Sequence, residues 1–327
     1  MSTLNPRAIL LGAQAASAAL PVCDHYSGVP VRMRKSLALQ AELAEELGTC
    51  VFDVTLDCED GAPVGGEAEH AALVAELVQG AAPQCRVGVR VHAVDHASFH
   101  ADVATVLKGE RKPAFIMVPK VESVADVQRA ADAMQQAAVS DVPLHVLIES
   151  PLAVHHAFDI AAHPRVESLS FGLMDFVSAH GGAIPADAMG VTGQFAHPLV
   201  VRAKLAMSSA AHAFGKVPSH CVVTEFKDTE ALTAAALKAR NELGYTRMWS
   251  IHPDQIRPIV AAFSPSHAEV EQAVCIILAA HAAGWGPAAV DGSLHDRASY
   301  RYYWQILERA KQTGQALPAE IVSFFSS

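Results

Sequence analysis

Two acidic residues in the chain stand where apolar, strand-like stretches end. Residues 146–148 lead directly into Glu149, and the stretch 168–174 leads through a glycine into Asp175. Carboxylates at the carboxyl ends of successive strands supply the hard oxygen ligands that Mg²⁺ prefers, with water and substrate in the remaining positions. The pair contains no histidine or cysteine, which disfavours zinc. The alternative is that each acid only ends its strand or caps the next helix.

Ionisable residues also end most of the other strand-like stretches. They are Asp57, Glu59 and Asp60; Arg90 and His92; Lys120; and His252. Burying this many charged groups at one end of a sheet is costly unless they pair with one another, with a metal ion or with a ligand. Their shared position therefore indicates a functional site more strongly than any one of them does.

Arg90 lies in a stretch flanked by valines. Its side chain is expected to point into the mouth of the site, because an arginine does not pack against an apolar helix layer. There its guanidinium group could clamp a carboxylate through two parallel hydrogen bonds. The alternative is an ion pair with Glu59 or Asp60, and the two roles are compatible.

Lys120 has two chemical interpretations, an electrostatic role or a nucleophilic amine that forms a Schiff base. A salt bridge with Glu122 or Glu149 is the structural alternative. Among the seventeen histidines, His252 is the best placed for chemistry because it ends a strand-like stretch. No Ser-His-Asp arrangement, GxSxG motif or HExxH motif is present.

About eight strand–helix units must position these residues. Strands are predicted over 19–23, 51–57, 86–92, 114–120, 146–149, 168–175, 217–223 and 246–251, and helices over 33–47, 67–79, 98–107, 123–138, 153–162, 198–214 and 229–243. Short apolar strands that alternate with helices predict a parallel sheet. Eight units in about 250 residues fit a (β/α)8 TIM barrel, whose active site lies at the carboxyl ends of the strands. A doubly wound open sheet is the second possibility, although no GxGxxG or Walker A loop supports it.

The pattern changes after residue 264. Helices are predicted over 269–283 and 296–312, joined by a turn-rich linker over 284–292, and no strands are predicted in this part. The predicted organisation is therefore a catalytic barrel domain over residues 1–264, followed by a small C-terminal helical extension over residues 265–327.

Composition places the chain among globular proteins. It is 51% hydrophobic, only 18% charged, and carries a formal net charge of −10. An acidic chain is a poor candidate for sequence-independent nucleic-acid binding, whereas an anionic small molecule remains compatible with it. Six cysteines without a CxxC pair favour a reducing, cytoplasmic setting. No apolar run reaches the length of a membrane span, and Gln14 interrupts the short apolar run after Arg7, which argues against a secretory leader.

Several short motifs occur in a characteristic order. They are LDCED at 56–60, RVH at 90–92, VPKVES at 118–123, LIESP at 147–151, LSFG at 169–172 with Asp175 after it, WSIHPDQI at 249–256, and AFSP at 262–265. Each motif is weak alone, but their order and spacing together resemble the citrate lyase beta-subunit-like family of the HpcH/HpaI aldolase superfamily. The resemblance covers residues 20–310 approximately.

The resemblance implies a Mg²⁺-dependent carbon–carbon lyase on a TIM barrel, assembled as a homotrimer or hexamer. Its typical substrate is a hydroxyacyl thioester such as malyl-CoA or citramalyl-CoA, which is split to acetyl-CoA and a 2-oxo acid. Glu149 and Asp175 match the metal ligands, and Arg90 matches the residue that holds the substrate carboxylate. Lys120 is then electrostatic, because a metal replaces the iminium group.

The resemblance also implies that an aspartate from a neighbouring subunit completes the site, and Asp296 is the matching residue. The structural alternative is that Asp296 serves only as the N-cap of the last predicted helix. We expect Glu59, Asp60 and His252 to contribute to substrate binding, beside Arg90. Asp296, Arg90 and Lys120 are the expected catalytic residues.

Two departures from the family pattern concern the substrate pocket. The family opens with an arginine in an RSxLFVPG strand, but the corresponding residues 17–22 contain none, and Arg32 or Arg34 could substitute. The family motif RVN is RVH here, which puts His92 in the place of asparagine.

Three other functions are compatible with the same residues. They are a malyl-CoA thioesterase, a malate-synthase-like enzyme, and a lyase subunit that needs an acyl-carrier partner. A ligand-binding barrel without catalytic activity is the least favoured alternative, because the acidic pair is intact.

Overall fold

Eight parallel strands close into a barrel in the computed structural model, which describes residues 6–12 and 19–325. The strands are β1 (Cys23–Ser27), β2 (Phe52–Asp57), β3 (Val87–Arg90), β4 (Ile116–Val118), β5 (Leu144–Ile148), β6 (Val166–Phe171), β7 (Val217–His220) and β8 (Arg247–Ser250). Each strand pairs with its neighbours in sequence, and β8 pairs with β1 to close the sheet. The predicted TIM barrel is therefore confirmed, and the open sheet is wrong.

Helices connect the strands and extend the chain beyond them. They are α1 (Pro6–Leu11), α2 (Pro30–Leu47), α3 (Glu67–Gly80), α4 (Phe99–Val106), α5 (Val124–Gln136), α6 (Pro151–His155), α7 (Ala157–Ala162), α8 (Leu173–Ser178), α9 (Pro198–Ala213), α10 (Thr229–Leu243), α11 (Ile256–Phe263), α12 (His267–Ala282), α13 (Arg297–Gln312) and α14 (Ala319–Phe324). The single helix predicted over 153–162 is divided at His156 into α6 and α7.

Local sequence signals explain where the helices begin and end. Ser123 caps α5 together with Asp126 in a reciprocal capping box. Gly48 and Gly244 end α2 and α10 in the left-handed region, with φ of 66° and 73°, where a residue without Cβ is favoured. Ser123 follows β4 at the mouth of the barrel, whereas Gly48 and Gly244 lead into β2 and β8 at the opposite end.

Two predictions about the ends of the chain are wrong. The first strand lies at Cys23–Ser27 rather than 19–23, so Tyr26 stands near its carboxyl end; residues 17 and 18 of the segment compared with the family arginine lie outside the described residues. The tail contains a small antiparallel sheet of β9 (Ala288–Val290) and β10 (Ser293–His295). The Asp291–Gly292 turn, with φ of 50° and 77°, joins them as a two-residue hairpin loop.

A buried ion cluster fills the amino-terminal end of the barrel interior. Arg247 lies 2.7 Å from a carboxylate oxygen of Asp53 and 3.0 Å from one of Asp24. Arg86 binds the second oxygen of Asp53 at 2.9 Å, and the Thr55 hydroxyl donates to Asp24 at 2.6 Å. Each charge has an opposite partner, so loss of one partner would leave an uncompensated buried charge, and the cluster lies opposite the mouth.

Apolar side chains fill the rest of the molecule in separate clusters. Phe115, Met117, Leu147 and Trp249 pack together inside the barrel, and a large shell packs between the strands and the surrounding helices. A further cluster, which includes Trp304, joins α1, α12, α13 and α14. Across residues 6–12 and 19–325, no helix is long and apolar enough to cross a membrane.

Replacement of Arg247 by methionine should strongly destabilise the fold. The change leaves the buried Asp24 carboxylate without its guanidinium partner, and breaking a buried pair in this way costs about 3–5 kcal/mol. Urea unfolding followed by circular dichroism measures the loss. The control is Arg257→Met, which removes the exposed pair with Glu46 and should shift the unfolding midpoint far less. Equal shifts for the two variants would contradict a structural role for the cluster.

Candidate active site

The two predicted metal ligands line one cavity at the carboxyl ends of β5 and β6. Glu149 directly follows β5, and Asp175 lies in the first turn of α8, which follows β6. Ile148 and Phe171, the last residues of these strands, are paired in the sheet. Both acids line a cavity of about 290 Å³, together with Asp60, Arg90 and a set of apolar side chains.

The local backbone positions the Glu149 carboxylate. The N–H of Lys120, at the end of β4, donates to Glu149 Oε1 at 2.6 Å. Gly172 lies on the other side, where an added Cβ would stand 2.3 Å from Glu149 Oε2. Only a glycine therefore allows the Glu149 carboxylate to lie against this turn. The glycine between β6 and Asp175 was part of the predicted motif, but its steric role was not predicted.

The electrostatics of the cavity favour a bound cation. Burial raises the pKa of Glu149 to about 7, and the negative charge of Asp175 adds to this effect. A cation between the two carboxylates would favour their ionised forms and remove this penalty. In the described parts of the chain, no three or more His, Cys, Asp or Glu side chains are arranged to hold a metal ion. The pair thus fits a cation that takes two carboxylates and leaves other positions to water or substrate, as Mg²⁺ does.

The guanidinium group of Arg90 is largely occupied by the protein itself. Its Nε and Nη2 atoms donate to the two carboxylate oxygens of Asp57 at 2.6 and 2.8 Å. Nη2 also donates to the Tyr26 hydroxyl at 2.9 Å, and Nη1 lies 3.1 Å from Glu59 Oε2. The predicted ion pair with Glu59 is thus present. Three of the five N–H groups of the guanidinium therefore donate hydrogen bonds, and the two on Nη1 remain for a ligand.

Lys120 is held as a cation. Its ammonium group lies 2.5 Å from Glu59 and 3.4 Å from Asp60, so the expected salt bridge with Glu122 or Glu149 is wrong for the side chain. Although burial acts to lower it, the hydrogen bond and charge of Glu59 keep the pKa of Lys120 above its ordinary value. A protonated amine is a poor nucleophile, which favours the electrostatic interpretation over a Schiff base.

Lys120 also departs from ordinary backbone geometry. Its φ of 53° is in the left-handed region, which is unusual for a residue other than glycine and is typical of strained functional sites. In this conformation its N–H binds Glu149 while its ammonium group reaches the loop after β2. One residue thereby joins the candidate cation site to the acidic loop.

His92, the departure from the RVN motif, lies beside this network in a neighbouring hollow of about 480 Å³ that is also lined by Glu59 and Lys120. Its Nδ1 is 2.6 Å from the buried carboxylate of Asp102, and its ring stacks on His96 with centroids 4.1 Å apart. The histidine is therefore oriented by Asp102 at the edge of the site.

His252 lines a separate groove of about 630 Å³ with Arg32 and Lys35. Its ring stacks on Phe226 at 4.8 Å, and its Nδ1 accepts a hydrogen bond from the N–H of Asp254. The groove adjoins the cavity of Glu149, because Tyr26 and Ile251 line both. Of the two arginines considered as substitutes for the family arginine, Arg32 lines this groove, and Arg34 donates to the carbonyl of Pro30.

Asp296 lies in the exposed C-terminal extension and does not line the cavity of its own chain. Its carboxylate caps α13 by accepting hydrogen bonds from the N–H groups of Ala298 and Ser299, at 2.9 and 3.3 Å. The predicted N-cap is therefore present. A contribution of Asp296 to catalysis requires a second subunit.

Sequence reasoning missed two aromatic residues of the cavity. Tyr26 and Trp249 stack with ring centroids 5.7 Å apart, at the junction where β1 meets β8. Trp249 stood in a recognised motif, but no role was predicted for it, and the misplaced first strand concealed Tyr26. A strand ending at Ser27 would have placed Tyr26 at the mouth.

The fold and these motifs agree with the family comparison. The chain belongs to the HpcH/HpaI aldolase/citrate lyase family, whose sequence model matches residues 36–253. This assignment confirms the predicted resemblance and the enzyme class, a carbon–carbon lyase.

Individual relatives carry related names. The chain is 31% identical over 248 residues to an L-malyl-CoA/beta-methylmalyl-CoA lyase of Rhodobacter capsulatus, covering 69% of this chain and 76% of that protein. It is 32% identical over 209 residues to a (3S)-malyl-CoA thioesterase of Cereibacter sphaeroides, covering 63% of this chain and 67% of that protein.

Solved structures show the same fold. A citrate lyase from Burkholderia xenovorans LB400 is 51% identical, with a TM-score of 0.81 over 99% of this chain and 100% of that one. Protein CitE from Mycobacterium tuberculosis, in complex with magnesium, acetoacetate and coenzyme A, has a TM-score of 0.67 at 22% identity, covering 90% of this chain and 99% of that one. At that identity the second likeness concerns the fold alone.

Replacement of Gly172 by alanine should weaken Mg²⁺ binding. The new methyl group would meet the Glu149 side chain at 2.3–2.5 Å and displace its carboxylate. Loss of a supporting contact of this kind typically costs 10–100-fold in metal affinity, which calorimetric titration with Mg²⁺ measures. Gly80→Ala is the matched control, because no atom lies within 4 Å of its added Cβ. Unchanged Mg²⁺ affinity in Gly172→Ala would argue against Glu149 as a ligand.

Proposed function

We propose that the protein is a Mg²⁺-dependent lyase that cleaves a 3-hydroxyacyl-CoA such as malyl-CoA or citramalyl-CoA to acetyl-CoA and a 2-oxo acid. The observation that carries this proposal is the pair of Glu149 and Asp175 in one buried cavity, where burial and mutual repulsion favour a cation. The relative from Rhodobacter capsulatus, named as a lyase of malyl-CoA and beta-methylmalyl-CoA, supports the substrate class.

The reaction requires charge stabilisation and two proton transfers. Bound by Glu149 and Asp175, magnesium would supply a Lewis acid for charge that develops on the substrate oxygen. The hydroxyl group at C3 loses its proton, the C2–C3 bond breaks, and the electron pair passes to C2 of the departing acetyl thioester. That carbon then takes up a proton to become the methyl group of acetyl-CoA.

The protein's own residues would orient the substrate for this cleavage. The two remaining N–H groups of Arg90, both on Nη1, can donate to the substrate carboxylate. Lys120 and the carboxylates of Glu59 and Asp60 form a fixed, charge-paired boundary around Arg90. Preorganised donors of this kind stabilise the charge that develops in the transition state better than water does.

The groove beside the cavity can accept the coenzyme A portion. Arg32 and Lys35 supply positive charge for phosphate groups, and the stacked pair of Phe226 and His252 offers an aromatic wall. Because Tyr26 and Ile251 line both spaces, a thioester could extend from the groove to the cation site. His252 would then contact the coenzyme portion rather than the reacting carbon atoms.

The C-terminal extension, residues 265–327, is proposed to complete the active site of a neighbouring subunit in a homotrimer or hexamer. The hairpin β9–β10 leads directly into Asp296 and exposes 76% of Leu294, an apolar surface that suits a subunit contact. Asp296 would then supply the proton for C2 of the departing acetyl group.

Replacement of Glu149 by alanine should abolish Mg²⁺-dependent release of glyoxylate or pyruvate from malyl-CoA and citramalyl-CoA. The loss follows because one of the two carboxylates proposed to bind the metal is removed. Trapping of the 2-oxo acid as a hydrazone measures the release. Glu122→Gln, an exposed acid after β4, is the control and should retain activity. Wild-type protein that binds Mg²⁺ but releases neither acid would overturn the choice of these substrates.

The neighbouring-subunit role of Asp296 predicts complementation between two inactive variants. Asp296→Asn should lose activity but keep its fold, because asparagine also caps helices. Mixed with Glu149→Ala after reversible dissociation, it should regain part of the activity, since mixed oligomers contain some sites with both native residues. Mixtures that remain inactive while the subunits exchange would show that Asp296 does not act across an interface.

A thioesterase is the second candidate, favoured by the relative named as a (3S)-malyl-CoA thioesterase. Thioester hydrolysis releases free coenzyme A and malate without a 2-oxo acid. The same assay therefore separates the two functions when a thiol reagent measures free coenzyme A beside the hydrazone.

A further inference from the structure

The cavity that contains Glu149 and Asp175 has one charged side and one apolar side. The apolar side is formed by residues that follow or belong to the strands β5, β7 and β8, and by α8: Leu147, Met174, Val222, Trp249 and Ile251. Leu147 and Trp249 are nearly inaccessible and belong to the packed cluster inside the barrel. This wall is therefore a rigid surface rather than a flexible loop.

The polar side chains of this wall are already engaged by the protein. The Trp249 indole N–H donates to Ser170 at 3.2 Å, the Cys221 thiol to Gln194 at 3.1 Å, and the Thr224 hydroxyl to Glu225 at 3.1 Å. The Tyr26 hydroxyl accepts from Arg90. A ligand group placed against this wall would thus meet apolar atoms and side-chain donors that have partners.

The positively charged side chains in and beside the cavity are also paired with protein groups. Among the described residues that line the cavity, Arg90 is the one with a permanently cationic side chain. Asp57 and Tyr26 accept hydrogen bonds from three of its five N–H groups, and Nη1 lies 3.1 Å from Glu59 Oε2. The nearby ammonium group of Lys120 is paired with Glu59 and Asp60. One carboxylate can bind at the cation and Arg90, but a second carboxylate would be buried without a charged partner.

We infer, on the basis of the proposed function, that the site selects a 2-oxo acid half whose substituent is uncharged over one whose substituent carries a second carboxylate. Met174 and Trp249 would determine this specificity by contacting the substituent. In an apolar pocket, each methylene group that fits contributes roughly 10-fold or more to discrimination.

The test compares 2-oxo acids that differ in this substituent. The full chain in Mg²⁺ is titrated by calorimetry with glyoxylate, pyruvate, freshly dissolved oxaloacetate and 4-methyl-2-oxopentanoate. The last two have substituents of similar shape, one ending in a carboxylate and the other in two methyl groups. We expect 4-methyl-2-oxopentanoate to bind at least about 10-fold more tightly than oxaloacetate. Condensation of each acid with acetyl-CoA, followed by mass spectrometry, should give the same order.

A charge placed on the wall should invert the preference. Met174 is half-buried and lines the cavity, so Met174→Arg should bind oxaloacetate more tightly than 4-methyl-2-oxopentanoate. Met174→Leu is the matched control and should keep the wild-type order, because the two side chains are similar in volume. The control also reports whether the site tolerates substitution at this position.

The outcomes separate this inference from the function on which it rests. If wild type binds and condenses oxaloacetate in preference to the branched acid, the specificity inference is overturned and the lyase proposal stands. If no 2-oxo acid binds to protein that binds Mg²⁺, the proposed function itself fails. An order that Met174→Arg leaves unchanged would remove Met174 from the specificity wall.

Discussion

The structure of the barrel mouth depends on an imbalance between acidic and basic groups. Asp57, Glu59 and Asp60 together engage Arg90 and Lys120. Glu149 and Asp175 are left to share a buried cavity, and the raised pKa of Glu149 is the physical expression of that arrangement. A bound cation relieves the repulsion between these two carboxylates, and the substrate can then complete its coordination. The paired residues are therefore as important as the ligands, since they hold Arg90 and Lys120 in fixed positions beside the cation site.

The two ends of the barrel interior show opposite solutions to the burial of charge. At the amino-terminal end, Arg247 lies between Asp24 and Asp53 in a cluster whose charges are paired. At the mouth, the left-handed backbone of Lys120 and the missing Cβ of Gly172 hold Glu149 where it has no cationic side chain against its carboxylate oxygens. The first arrangement favours folding, whereas the second stores unfavourable electrostatic energy that ligand binding can release.

Sequence patterns were sufficient for the barrel and for the acids at the ends of β5 and β6, because each strand is a short apolar run that stops at an ionisable residue. They failed for β1, where buried polar residues such as Asp24 and His25 interrupt the apolar run, and the strand was placed too early. They also could not show that Arg90 is mostly occupied, or that His252 faces a different groove. Those facts depend on the directions in which side chains on neighbouring strands point. The spacing of residues along one strand does not reveal these directions.

In the closed barrel, the residues of the site lie on two arcs of adjacent strands. The first arc, at the ends of β3 to β6, carries Arg90, Lys120, Glu149 and Asp175 together with the apolar residues Leu147 and Met174. The second arc, at the ends of β7, β8 and β1, carries Val222, Trp249, Ile251 and Tyr26. Because β8 pairs with β1, Trp249 can stack on Tyr26 and form one continuous surface from residues at opposite ends of the barrel sequence. Substitutions in the second arc can change the substituent that is accepted without displacing the carboxylates in the first. A family built on this plan can therefore keep one cleavage chemistry while its members differ in substrate.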